Sequence, residues 1–198
     1  MLYWLNNDDS SKFRYAYEDS TLLRYETADC PVCGRRISTP YYSDDVPNLL
    51  LEGGRQYPDY LSFCGAGRQM FLLSEKALEI FEKCNVSGYA GYQLIETNDF
   101  ITKNKHFCCK YYSLNITGRV DLDMAMMHIK KKRLCAECNQ FTWSRTRLQP
   151  YFLDQNSWDG SDLCLLTSIP GYKLCTSRVK GIIERFRLTG FSFEPSIR

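Results

Sequence analysis

Cys30-Pro31-Val32-Cys33-Gly34 and, far down the chain, Cys135-Ala136-Glu137-Cys138-Asn139 are the two stretches on which this sequence turns. Two thiolates separated by two residues reach one metal ion from a tight turn, and two such turns complete a tetrahedral shell of four cysteines. Pro31 pre-sets the backbone after the first ligand, and Gly34 can take the positive φ that folds the peptide back over the sulfur. Asn139 holds the same place in the second turn, and asparagine tolerates that conformation better than most residues. The pattern predicts a structural Zn2+ held by Cys30, Cys33, Cys135 and Cys138, in knuckles spanning 28–38 and 133–141. A redox dithiol would instead follow a hydrophobic strand and open a helix. Cys30 follows Glu26-Thr27-Ala28-Asp29, and Arg35-Arg36-Ile37-Ser38 after it reads as a short strand. A catalytic zinc is disfavoured too, because four thiolates leave no open position for water.

The 198 residues suffice for one sizeable core, and a single compact domain over 1–198 is expected. Hydrophobic residues at 44% and charged residues at 24% are globular values and argue against disorder. The formal net charge of +2 creates no whole-chain field for nucleic acid or an anionic membrane. The start, Met1-Leu2-Tyr3-Trp4-Leu5-Asn6-Asn7-Asp8-Asp9, lacks the basic residues and long apolar run of a signal peptide. No segment reaches the apolar length that spans a bilayer. Ten cysteines without an export signal favour thiols and metal over disulfides, and a cytoplasmic location.

Along the chain, Met1–Leu5 and Phe13–Tyr17 read as strands, with Tyr3 and Leu5 facing away from Trp4. Thr39-Pro40 and Val46-Pro47 punctuate an irregular connection, and Leu49–Glu52 and Leu61–Cys64 are short apolar runs. Gly65-Ala66-Gly67 lacks the further glycine or lysine of a phosphate loop and reads as a plain turn. Ser74 caps a helix over Glu75–Lys83 whose apolar face is Ala77, Leu78, Ile80, Phe81 and Cys84; Gly88 ends the unit, and Tyr89–Ile95 returns as a strand. The C-terminus repeats the sentence. Tyr172–Cys175 is a strand, Ser177 a cap, and Val179, Ile182, Ile183 and Phe186 fall at helical spacing before Gly190 and the strand Phe191–Glu194. Residues 74–95 and 177–194 are thus read as repeated helix–strand units. The fold class that follows is α+β: a mainly antiparallel sheet with two amphipathic helices, joined by a four-cysteine, zinc-ribbon-like knuckle pair.

The middle third reads as strands, at Phe107–Leu114 and Arg119–Asp123, with a turn at Asn115-Ile116-Thr117-Gly118. Met124–Ile129 is apolar and is assigned to the core. Lys130-Lys131-Lys132-Arg133 leads into Cys135 and is followed by Phe141, Trp143, Arg145 and Arg147. That combination suits a nucleic-acid-binding zinc ribbon. The near-neutral total charge favours instead a solvated strand edge, where lysines discourage sheet pairing. Little points to an enzyme. The only histidines, His106 and His128, sit in no metalloprotease frame, and no nucleophile elbow or phosphate loop is present.

The first knuckle Cys30-Pro31-Val32-Cys33-Gly34, the late Cys135–Cys138 turn, Trp158-Asp159-Gly160-Ser161-Asp162-Leu163, Ser177-Arg178-Val179 and Leu188-Thr189-Gly190-Phe191 together resemble the double-CxxCG family of bacterial toxin-immunity proteins. Asn139 departs from the pattern, which would place glycine there. The resemblance implies a cytoplasmic antidote that binds a cognate toxin, performs no catalysis, and uses zinc only to stabilise its fold. Fourteen tyrosines and 11 phenylalanines supply material for interface anchors, and Trp158, Asp159 and Asp162 are candidates in a loop. A buried tryptophan with turn-making aspartates is the competing reading of those three.

Overall fold

β1 (Leu2–Asn7) sends Tyr3 and Leu5 to one face and Leu2 and Trp4 to the other, and each face joins an apolar cluster. A strand with two apolar faces belongs inside a covered sheet. The computed structural model describes residues 1–8, 10, 12–18, 23–42, 49–64, 70–95, 97–99, 110–133, 135–138, 141–143, 151–168 and 172–196. The first half continues with β2 (Arg14–Glu18), β3 (Leu23–Asp29), β4 (Arg36–Tyr42), β5 (Leu49–Gly53), β6 (Tyr60–Cys64) and β7 (Leu72–Ser74), then α1 (Glu75–Lys83), β8 (Tyr89–Ile95) and β9 (Thr97–Asp99). The second half holds β10 (Tyr111–Ile116), β11 (Arg119–Leu122), β12 (Lys131–Arg133), β13 (Phe141–Trp143), β14 (Leu153–Asp154), β15 (Leu163–Leu166) and β16 (Lys173–Thr176), then α2 (Ser177–Arg185) and β17 (Phe191–Pro195).

One sheet runs β14-β11-β15-β16-β1-β17 and the other β8-β10-β7-β6-β2-β5-β9, while β3–β4 and β12–β13 form separate two-stranded sheets. Pairing is mostly antiparallel, with parallel steps at β2–β6, β5–β9 and β11–β15. The protein is therefore α+β, as patterning predicts. One cluster draws on both sheets and both helices, through Leu5, Tyr60, Phe71, Leu73, Phe81, Leu114, Leu163, Val179 and Ile183. Leu2, Trp4, Val120 and Leu174 pack on the opposite side of the first sheet. Leu49, Leu61, Leu72, Ile95 and Tyr111 do so for the second.

Both helices start and stop by the same local chemistry. Ser74 Oγ accepts from the Ala77 N–H, and Thr176 Oγ1 from the Val179 N–H. The second cap is thus Thr176 and not Ser177, because β16 runs one residue further and Ser177 donates its N–H to Met1 O. Asn85 and Arg187 take positive φ after the last turn. Gly88 (φ +97°) and Gly190 (φ +86°) then pass so close to a neighbouring backbone that a Cβ would lie 2.1 Å from Leu163 O and 2.2 Å from Tyr60 O. Only glycine fits there.

Two buried carboxylates fasten the helical segments to one another. Asp162 accepts from Ser87 N–H (3.1 Å) and Oγ (3.2 Å), from Thr176 Oγ1 (2.8 Å), and from the Arg178 guanidinium. Asp59 accepts from Thr189 N–H (2.9 Å) and Oγ1 (3.1 Å), from Ser74 Oγ (2.9 Å), and from Lys76 Nζ (3.4 Å). Each aspartate thus bonds one helix cap and the loop beyond the other helix.

Other expectations shift. β4 runs through Thr39-Pro40 to Tyr42, where punctuation suggested irregular chain. A two-stranded hairpin has open outer edges that tolerate a missing N–H. Asn115 and Ile116 remain in β10 because Ile116 pairs with Tyr89, and the turn shrinks to Thr117-Gly118. The Gly65–Gly67 turn and the Phe107–Cys109 start of a strand lie outside the described residues.

Candidate metal centre

Each CxxC occupies the bend of a hairpin. The β3–β4 ladder closes at Asp29↔Arg36, and the β12–β13 ladder at Arg133↔Phe141. In the first bend the Cys30 N–H donates to Arg35 O (2.9 Å) and the Gly34 N–H to Cys30 O (2.8 Å). Gly34 has φ +67°, the left-handed conformation its sequence position asks for.

The four sulfurs of Cys30, Cys33, Cys135 and Cys138 lie within 4.8 Å of one another. The Cys30–Cys135 and Cys33–Cys138 Sγ–Sγ distances are both 3.8 Å. A tetrahedron with metal–sulfur bonds of about 2.3 Å has edges of about 3.8 Å, whereas a disulfide would bring the sulfurs to about 2 Å. The donor set therefore fits a tetrahedral metal. Among the described residues this is the only group of three or more histidine, cysteine or acidic side chains close enough to share an ion. Cys30 and Cys135 are buried, at 4% and 6% exposure; Cys138 is half-buried and Cys33 exposed.

The electrostatics prepare thiolates at the inner pair. The backbone N–H groups of Cys33 and Val32 point at the Cys30 sulfur and lower its pKa to about 7. The Cys138 N–H lowers Cys135 in the same way, helped by the Glu137 N–H against the effect of burial. At Cys33 the Arg35 N–H pulls downward, but the Cys30 thiol, burial and the Cys135 thiol outweigh it and leave the group raised. Cys164 and Cys175, by contrast, are pushed up to about 12, first of all by burial, and are ordinary core thiols.

The remaining sequence candidates scatter. Lys131–Arg133 form β12 beside the second knuckle, and Lys130 is exposed. Phe141 and Trp143 bound β13; Arg145, Arg147 and His106 lie outside the described residues. His128 sits exposed at positive φ in the turn after β11, far in character from a ligand. Met127 and Ile129 are core, as expected for that stretch, but Met126 is 54% exposed. Trp158 packs against the Leu2–Trp4 cluster and donates Nε1–H to Ser161 O (3.0 Å), and Asp159 accepts from the Arg119 and Ser161 N–H groups. Asp162, a candidate exposed anchor, is buried in the clasp described above. Sequence reasoning missed Asp59 and Asp162 as a pair. The available signal was an aspartate directly before each of two apolar strands, Asp59-Tyr60-Leu61 and Asp162-Leu163-Cys164.

No family model matches the chain, and no curated protein matches it.

Proposed function

We propose that this protein is an immunity protein, which binds a cognate bacterial toxin in the cytoplasm and blocks it, with Zn2+ serving only its fold. The observation that carries the structural role of the metal is the set of four cysteine sulfurs within 4.8 Å of one another, two pairs of them at 3.8 Å; four thiolates on one ion would leave no position for substrate or water. An all-sulfur tetrahedral shell suits Zn2+ among the common metals. Cys30, Cys33, Cys135 and Cys138 would hold it, and the ion would supply folding free energy rather than chemistry. The toxin as partner rests on the resemblance carried by the knuckles and the C-terminal segments.

The zinc-ribbon-like knuckle pair and the helix–strand units belong, in this proposal, to one architecture: two copies of a single unit sharing one zinc. Both sulfur pairs join residues 105 positions apart. The strand order β5-β2-β6-β7-β10-β8 has its counterpart in β14-β11-β15-β16-β1-β17, with a parallel step, β2–β6 or β11–β15, at the same place. The first strand of each copy, β1 or β10, lies in the sheet of the other. The crossed clasps of Asp59 and Asp162 support the same exchange.

Co-expression with the toxin-like product of a neighbouring gene tests the function. Rescue of growth, with a complex that survives high salt, is the expected result. Recovery of nucleic acid that washes off steeply with salt would replace the antidote with a nucleic-acid-binding zinc ribbon using β12.

A further inference from the structure

The two copies are not equivalent at their outer edges. β8 ends one sheet and β17 ends the other, each paired on a single side. Leu5 and Leu114 hold corresponding places on β1 and β10, and their cross-strand partners are Phe193 and Tyr92. The next partners correspond as Glu194 with Gln93 and Pro195 with Leu94. A charge and a proline are the usual devices by which an edge strand refuses another strand. β17 carries both, and Lys180 lies over its Phe193 ring at 5.7 Å.

β8 carries neither device at those positions. Ala90 to Leu94 is exposed throughout, contains no charged residue, and presents Tyr92 at 48% and Leu94 at 47% exposure. A register shift opposite Leu114–Ile116, with Gly91 at φ +131°, bulges the start of the strand and leaves Tyr92–Ile95 regular. The Leu114 N–H is given to Phe71 O on the inner side, so the opposing Tyr92, and Leu94 two residues on, turn their N–H and C=O groups outward. Tyr92 stands edge-on to Tyr112 at 5.5 Å. The Glu82 carboxylate reaches the Tyr92 phenol and raises it. On the same rim Glu75 meets Lys110 and Tyr112, and Glu79 meets Lys83.

We infer that β8 is a docking edge that accepts an extended strand of a partner protein, with an arginine or lysine of that strand placed over Tyr92 beside Glu82. Main-chain bonds to Tyr92 and Leu94 would supply register, and alternate side chains would meet the tyrosine pair. A cation satisfies both the carboxylate and the ring face. A second copy of this chain would bring Glu82 against Glu82, so charge favours a basic heterologous strand. The inference rests on the proposal that the protein acts by binding another protein, and it names the surface that does so.

The test uses the full chain, the probe Ac-(Val-Arg)3-NH2 and its counterpart Ac-(Val-Glu)3-NH2. The paired variant Gln93→Glu/Leu94→Pro installs the edge that β17 already has, at a position whose N–H makes no ladder bond, and so should fold normally. Expected are amide shifts and slowed hydrogen exchange at Tyr92 and Leu94 with the arginine peptide, binding at least tenfold weaker with the glutamate peptide, and loss of binding in the paired variant. Equal binding by the folded variant, no preference for arginine, or β8-mediated self-association of the unliganded chain would overturn the inference. Toxin neutralisation is read separately. A paired variant that still neutralises would sink the β8 edge alone, and failure of the parent to neutralise would sink the antidote proposal alone.

Discussion

Stripping the metal should loosen the two knuckle hairpins and leave the sheets standing. Among the described residues, β3–β4 and β12–β13 share no ladder with the larger sheets, and the three apolar clusters contain none of the four knuckle cysteines. Isolated two-stranded hairpins are marginal in water. An ion shared by the knuckles would close a loop whose arms run from the end of β2 to Cys30 and from Ile129, anchored in the core, to Cys135, about 18 residues together. Loop-closure entropy for that length corresponds to about 3.2 kcal/mol. Amide exchange within β3, β4, β12 and β13 should accelerate by roughly 200-fold on chelation or in Cys135→Ser, while β1, β15 and β16 keep their protection. Hydrogen-exchange mass spectrometry with metal counted by plasma mass spectrometry reads both effects. Simultaneous loss of protection in the sheets would refute the separation of hairpins from core. Unchanged protection in the hairpins of a metal-free chain would refute the cluster as their tie.

Four further outcomes follow from the packing. Asp162→Ala leaves the Ser87 N–H and the Thr176 hydroxyl without this acceptor and takes from Arg178 its carboxylate, leaving it the Cys84 and Asn85 carbonyls; urea unfolding should show a loss of about 3 kcal/mol, smaller for Asp162→Asn. Gly88→Ala combines a left-handed backbone with a Cβ driven onto Leu163 O and should cost roughly 3–5 kcal/mol. Gly181→Ala, on a helix site with open space, should stabilise by about 0.5–1 kcal/mol in the same assay. Burial holds Lys173 down at about 8, against 10.5 for the free side chain. The unfolded chain therefore binds more protons between those values, so this group makes stability rise with pH from about 8 to 10.5. Cys164 and Cys175, raised to about 12, act in the opposite sense above 9. The pH profile of Lys173→Met subtracted from that of the parent isolates the lysine, and a flat difference would contradict its burial.

Much of the local structure is written in the chain. The helix Glu75–Lys83 with its Ser74 cap and the strand Tyr89–Ile95 follow from apolar spacing and a hydroxyl at the right place. The four ligands follow from two CxxC turns, because chelation is a local geometric demand. Boundaries were less legible where distant partners decide them. β10 outlasts its Asn115 signal because Tyr89 lies opposite Ile116, and β16 reaches Thr176 because Leu2 pairs with it.

The sequence by itself determined which segments alternate, which coil, and which cysteines can share an ion. The tertiary structure alone decided that β1 lies between β16 and β17, that β10 lies between β7 and β8, and that Asp59 and Asp162 reach across to Thr189 and Ser87. The division has a physical cause. Period and capping are properties of neighbouring residues, whereas backbone hydrogen bonds are alike in every strand, so partners are chosen only when side chains of remote segments fill one core together.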